Sequence, residues 1–316
     1  MSRHVVAGVD GSAGAGAALD WAAADAGRRG LALRLVFVRE PWVPEHPVFT
    51  GHQPLTEEAE RLLEEAAGRA RERVSGLEVS TAMVTGAVVE RLRTESETAD
   101  TVVVGSRGLG GFAGLVLGST GLGLAGHAHG PVVVVRGRAG ARHDEVVVGY
   151  DGSDDAECAL EYALEQAQAR GARLRVVHGV QLPVGYPHPV GFGPLPPAGL
   201  EEDLPKRLRP WLERYPGVRC VQSVVPGHPV PALASASRAA DLVVVGSRGL
   251  GGFSTVLLGS VSHGVLHRAH CPVAIVRPRR GPEGGPQERA QGARQEGPRG
   301  EARALSPEAS REREPS

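Results

Sequence analysis

Two short motifs, each present twice, carry the residue types from which a phosphate site is made. Asp10-Gly11-Ser12 recurs as Asp151-Gly152-Ser153. Gly105-Ser106-Arg107-Gly108, nine residues, then Gly118-Ser119 recurs as Gly246-Ser247-Arg248-Gly249, nine residues, then Gly259-Ser260. A carboxylate beside a turn can hold ribose hydroxyls or a phosphate-bound Mg²⁺. Glycines let backbone amides approach an anion closely, and an arginine presents a planar fork of donors to phosphate. A helix opened by Ser119 or Ser260 would add unpaired N–H groups and the favourable end of the helix dipole. Taken singly, each stretch could be an ordinary strand-to-helix turn with a serine cap. Recurrence of both motifs favours the functional reading.

The elements that must position these residues follow from the repeat itself. An offset of 141 maps Val5 to Ser12 onto Val146 to Ser153, Gly86 onto Gly227 and Pro131-Val132 onto Pro272-Val273. It also maps Asp100 to Phe112 onto Asp241 to Phe253 with one difference, Thr101 against Leu242. Two copies of one domain are therefore expected, at 1–138 and 142–279. A tail at 280–316, rich in Gly, Pro, Arg and Glu, is too poor in large apolar residues to order itself. Within the first copy, β-rich runs at His4 to Val9, Leu33 to Val38, Glu78 to Val84, Thr101 to Gly105 and Val132 to Arg136 alternate with helical periodicity, clearest over Leu55 to Val74. Such alternation predicts a parallel sheet covered on both faces, with ligands beyond the carboxyl ends of the strands. Both motifs fall at such ends. Pro205 and Pro210 predict a shorter or kinked helix over Leu200 to Tyr215, and the Pro-rich stretches at 41–54 and 183–197 read as surface loops able to fold over a ligand.

Composition excludes several classes. A formal charge of −1 recruits neither nucleic acid nor an anionic membrane. No apolar run approaches the roughly 18 residues of a spanning helix, and the N-terminus lacks the apolar core of a signal peptide. Three cysteines at unrelated spacings, Cys158, Cys220 and Cys271, fit a reducing cytoplasm, and Cys158 and Cys220 read as small core residues. Lys206 is the one lysine, and G-x-x-x-x-G-K-[ST] is absent. Gly108-Leu109-Gly110-Gly111 follows the fourth predicted strand, the wrong context for a dinucleotide fingerprint. Gly14 and Gly16 are replaced by Asp155 and Glu157 in the second copy, so a shared function cannot need them. His263 and His267, with His270 and Cys271 nearby, have zinc-like spacing, but Leu122 and Gly126 stand at the corresponding first-copy positions.

Asp-Gly-Ser after strand one, G-x₂-G-x₉-G-[ST] after strand four and a closing Pro-Val-x-x-Val-Arg strand together resemble the universal stress protein family in its tandem form, over residues 3–137 and 144–278. The resemblance implies an α/β fold: two tandem Rossmann-like (adenine nucleotide alpha hydrolase-like) domains, each a five-stranded parallel sheet of order 3-2-1-4-5 with helices on both faces. It also implies binding of ATP or a related adenine nucleotide, with or without Mg²⁺, by a stress-response sensor or regulator. Asp10 and Asp151 would face the ribose or triphosphate, and Val38 and Gly179 would offer backbone to adenine. Val104, Gly105, Arg107, Gly108, Gly118, Ser119 and Thr120 would line the first phosphate path. Val245, Gly246, Arg248, Gly249, Gly259, Ser260 and Val261 would line the second. In the family the last strand mediates dimerisation, which implies an intramolecular pseudo-dimer here and leaves a homodimer open. The alternative is a slow ATPase or autophosphorylating enzyme on the same scaffold, for which no acid is evidently positioned to activate a nucleophile. Gly121, Gly123 and Gly126, against Gly264 alone, predict a looser first phosphate helix and a better organised second site.

Overall fold

A computed structural model describes residues 3–40, 55–106, 108, 118–136, 142–180, 200–250 and 258–278, without the side chains of 55 and 200–203. Arg107, the Pro-rich stretches at 41–54 and 183–197 and the tail at 280–316 lie outside the described residues.

The first half runs β1 (His4–Gly8), α1 (Ala13–Arg29), β2 (Ala32–Arg39), α2 (Leu55–Arg73), β3 (Val79–Thr85), α3 (Val88–Glu95), β4 (Thr101–Gly105), α4 (Ser119–His127) and β5 (Val132–Val135). The second repeats it as β6 (Glu145–Gly149), α5 (Asp154–Arg170), β7 (Arg173–Val180), α6 (Leu200–Arg214), β8 (Cys220–Pro226), α7 (Pro229–Ala236), β9 (Leu242–Gly246), α8 (Ser260–Arg268) and β10 (Val273–Val276). The strands form one ten-stranded sheet of order β3-β2-β1-β4-β5-β10-β9-β6-β7-β8. Each half is parallel and ordered 3-2-1-4-5. The halves join where β10 runs antiparallel to β5, Ala274 opposite Val133. Val-Val-Val-Val and Val-Ala-Ile-Val are buried throughout, so neither strand could remain an exposed edge without a cost in solvated apolar surface.

Two apolar layers cover the sheet. On one face α1, α2, α5 and α6 bury Leu19, Leu63, Leu160 and Leu208 against Leu33, Leu35, Val103 and Leu174. On the other, α3, α4, α7 and α8 bury Leu92, Leu124, Leu233 and Leu266 against Val6, Val104, Val243 and Val245. Helix α6 is 15 residues long against 19 for α2, but it runs through Pro205 and Pro210 and is not interrupted. Both prolines point outward, while Leu204 and Leu208 are 4% and 0% exposed on the sheet side. Burial of that stripe offsets the lost backbone bonds.

Candidate functional site

Each half places its two motifs at the carboxyl ends of neighbouring strands, β1 and β4 or β6 and β9, on either side of the point where strand order reverses. The Asp-Gly-Ser turn is built the same way twice. Gly11 and Gly152 take φ of +82° and +81°, a left-handed conformation costly for other residues. Ser12 caps α1 by accepting from Ala15 N at 3.1 Å, and Ser153 caps α5 by accepting from Ala156 N at 3.2 Å. The aspartate orients the turn: Asp10 Oδ1 accepts from Ser12 N at 2.9 Å, and Asp151 Oδ1 accepts from Ser153 N at 3.0 Å.

The second oxygen of each aspartate faces the glycine loop. A Cβ on Gly108 would stand 2.5 Å from Asp10 Oδ2, and one on Gly249 would collide with Asp151 Oδ2. Asp10 with Gly108, and Asp151 with Gly249, are thus brought together across two strands. Each loop is closed at its base: Gly118 N donates to Ser106 O at 2.7 Å and Gly259 N to Ser247 O at 2.8 Å. Gly118 and Gly259 then serve as N-caps of α4 and α8, neither making a side-chain cap bond. Among the described residues, the first turns of α4 and α8 therefore lack the N-cap side-chain acceptor that α1 and α5 have. Ser119 and Ser260 are exposed there, and Thr120 and Val261 are half-buried one residue on.

Other sites expected from sequence have mainly packing reasons. Gly105 and Gly246 lack side chains because α1 and α5 pass directly over them. A Cβ on Gly105 would meet Gly14 C and O at 2.5 and 2.6 Å, and one on Gly246 would meet Asp155 C at 2.8 Å. Val104 and Val245 are core residues, 4% and 2% exposed, with only backbone to offer. Val9 N donates to Val36 O at 3.0 Å, so by strand alternation Val38 turns its backbone toward the β1 side, beyond that strand's end. Tyr150 N donates likewise to Val177 O at 2.9 Å, which places the Gly179 backbone equivalently. The side-chain space at Gly179 is taken by Pro229, whose ring atoms would stand 2.9 Å from a Cβ on that glycine.

In the second copy the acids at 155 and 157 make contacts that spacing alone does not show. Asp155 Oδ2 accepts from Ser247 Oγ at 2.6 Å and Arg248 N at 3.1 Å, and lies 3.9 Å from Arg248 Nε. Asp151 Oδ2 accepts from Leu250 N at 3.1 Å. Ser262 Oγ, where the first copy has Gly121, donates to Gly246 O at 2.5 Å. Glu157 accepts from Tyr150 Oη and from Trp211 Nε1, the latter at 2.8 Å. Burial, then that carboxylate, pushes the Tyr150 phenol well above its ordinary range. The signal was legible as two acids replacing Gly14 and Gly16, but their contacts were not. His263 and His267 bring their rings to 4.6 Å, yet no group of three metal-ligating side chains occurs among the described residues. No helix among them is long and apolar enough to cross a membrane.

A doubly wound sheet with paired carboxylate turns and glycine loops at its switch points defines a class of duplicated α/β proteins. The universal stress protein family model matches residues 1–136 and again 143–277, and the chain belongs to that family. It is 38% identical over 291 residues to a universal stress protein of Mycolicibacterium smegmatis, covering 87% of this chain and 97% of that one. A Mycobacterium tuberculosis H37Rv universal stress protein is 36% identical over 300 residues, covering 86% and 94%. A crystal structure of a universal stress protein from Archaeoglobus fulgidus superposes with a TM-score of 0.68 at 24% identity, over 88% of this chain and 99% of that one, a likeness of fold.

Proposed function

We propose that the chain binds ATP, or a closely related adenine nucleotide, and acts as a stress-response sensor or regulator. The observation that carries this reading is the pairing of Asp10 with Gly108 and Asp151 with Gly249, beside helix N-termini that lack side-chain caps. A carboxylate for ribose, amides for phosphate and an apolar strand end for a base are the three elements a nucleotide needs. In this reading Val38 receives adenine, Asp10 the ribose or triphosphate side, and Arg107 with its glycine loop the phosphates; Gly179, Asp151 and Arg248 with the second glycine loop are the corresponding groups of the second copy. Each site offers one aspartate to a Mg²⁺ ion, the donor set of a cation carried in by phosphates.

Efficient catalysis is a weaker reading. Ser247 and Asp155 stand at the distance of a nucleophile and its base, but Ser247 is 0% exposed and cannot receive a phosphoryl group without opening the loop. Native mass spectrometry of freshly purified protein, with acid release of bound nucleotide, tests the proposal directly. ATP is expected, without multiple-turnover release of ADP. Arg107→Ala is expected to weaken ATP binding by about 1.5–3 kcal/mol, the value of a charged hydrogen bond. Calorimetry giving unchanged affinity would reject the phosphate role.

A further inference from the structure

The two loops have the same sequence pattern but not the same anion balance. In the second, the Asp155 carboxylate already sits among the loop donors, accepting from the Ser247 hydroxyl and the Arg248 amide and lying 3.9 Å from the Arg248 guanidinium. Its side chain is 10% exposed, so these bonds form away from bulk water and are screened little. An acid in the first turn of a helix is ordinarily accounted for by the dipole and points at its own turn or at solvent. Asp155 reaches instead into a loop 92 residues distant in sequence. At the matched offset the first half has Gly14, which has no side chain to reach Ser106.

We propose that Asp155 is the residue that makes the two loops unequal: it acts as an internal anion at the phosphate end of the second loop, so that ATP occupies the first site and is excluded from the second. The inference rests on the nucleotide reading above and adds the selectivity between sites. Phosphate entering the second loop would meet a carboxylate of its own sign and would have to take Ser247 and Arg248 from it. The ordering is the reverse of that expected from the helix glycines. Gly123 and Gly264 are both needed for packing, since a Cβ there would stand 2.9 Å from Val89 and 2.8 Å from Val230, and both helices span nine residues.

The test is an exchange between the copies, read as Mg·ATP stoichiometry by native mass spectrometry and calorimetry on the full chain. Wild type is expected to take one ATP, Asp155→Gly two, and Gly14→Asp none or one bound at least about tenfold more weakly. The double exchange restores one ATP, now on the second loop. Asp155→Asn, which keeps the size and one acceptor, guards against a folding defect in the glycine variant and is expected to admit the second ATP with intermediate affinity. Two equal ATP sites in wild type, or a single site persisting in both folded Asp155 variants, overturns the inference and leaves nucleotide binding intact. Absence of ATP from wild type and every variant overturns the nucleotide reading along with it.

Discussion

Gly105 and Gly108 are three residues apart in the same motif, yet they are glycines for different reasons. Gly105 lies beneath the α1 backbone, where the atoms that a Cβ would meet cannot swing away. Gly105→Ala is therefore expected to cost about 1–3 kcal/mol of stability, the range for overpacking, seen in denaturant unfolding without ligand. Gly108 is exposed, and its Cβ would meet only the end of the Asp10 side chain. Gly108→Ala should leave the unfolding midpoint nearly unchanged and weaken ATP binding by displacing that carboxylate. Equal stability losses in the two variants would contradict this division. Both glycines read alike in the sequence, because spacing reports a turn but not what passes over it. Cys158 and Cys220, expected as small core residues, are half-buried and pack against the core from its margin. Cys271 is buried, and its thiol is pushed up to about 12 by that burial, so it is an apolar packing group and not a nucleophile.

At the scale of elements, the pattern of periodicities located strands and helices closely. The β4 run is the expected one, and β1, β2 and β3 shift by a residue or so at their ends, because end residues depend on neighbouring ladders. Helix α6 departed further, since local proline chemistry competes with a buried leucine stripe that only packing rewards. Helix α8 carries a pH-sensitive feature. Burial first, then the neighbouring His263 and Arg136, lowers the His267 pKa below its ordinary 6.5. The unfolded chain then binds more protons in the window just below 6.5, so this contribution is complete above that pH and is lost as pH falls through the window. His267→Gln is expected to flatten the loss of stability between about pH 7 and about pH 5.5, checked by urea midpoints. An unchanged slope would show that the ring does not contribute.

At the scale of the whole molecule, the halves meet along β5 and β10 and again where α1 faces α5. There Asp25, 0% exposed, accepts from Gln166 Nε2 and Arg170 Nη2, each at 3.2 Å, and pairs with Arg29 at 3.4 Å. Arg29 also reaches Asp100 at 2.6 Å, and Arg170 stacks over Trp21 at 5.2 Å. Asp25 and Gln166 are themselves related by the offset of 141, so the repeat is symmetric in place and asymmetric in charge. Gln166→Glu would set a second buried carboxylate against Asp25. It is expected to destabilise the full chain by about 3 kcal/mol or more, in a single cooperative unfolding transition. A loss within experimental error would mean that the interface relaxes to admit water.

The duplicated unit, its alternation of strand and helix, and the residue types gathered at two strand ends are all legible in the chain before it folds. These follow from periodicity, turn chemistry and a repeat in register, all of which are local or self-referential. That Asp25 meets Gln166, that Gly105 is overrun by a helix, and that Asp155 enters the second loop are consequences of packing. Each of these joins residues far apart in the chain through side-chain direction or close backbone approach, as with the 141 positions between Asp25 and Gln166. A repeat can tell which positions correspond, but two copies of one backbone hold different chemistry when a single glycine becomes a carboxylate, and its partners are set by packing.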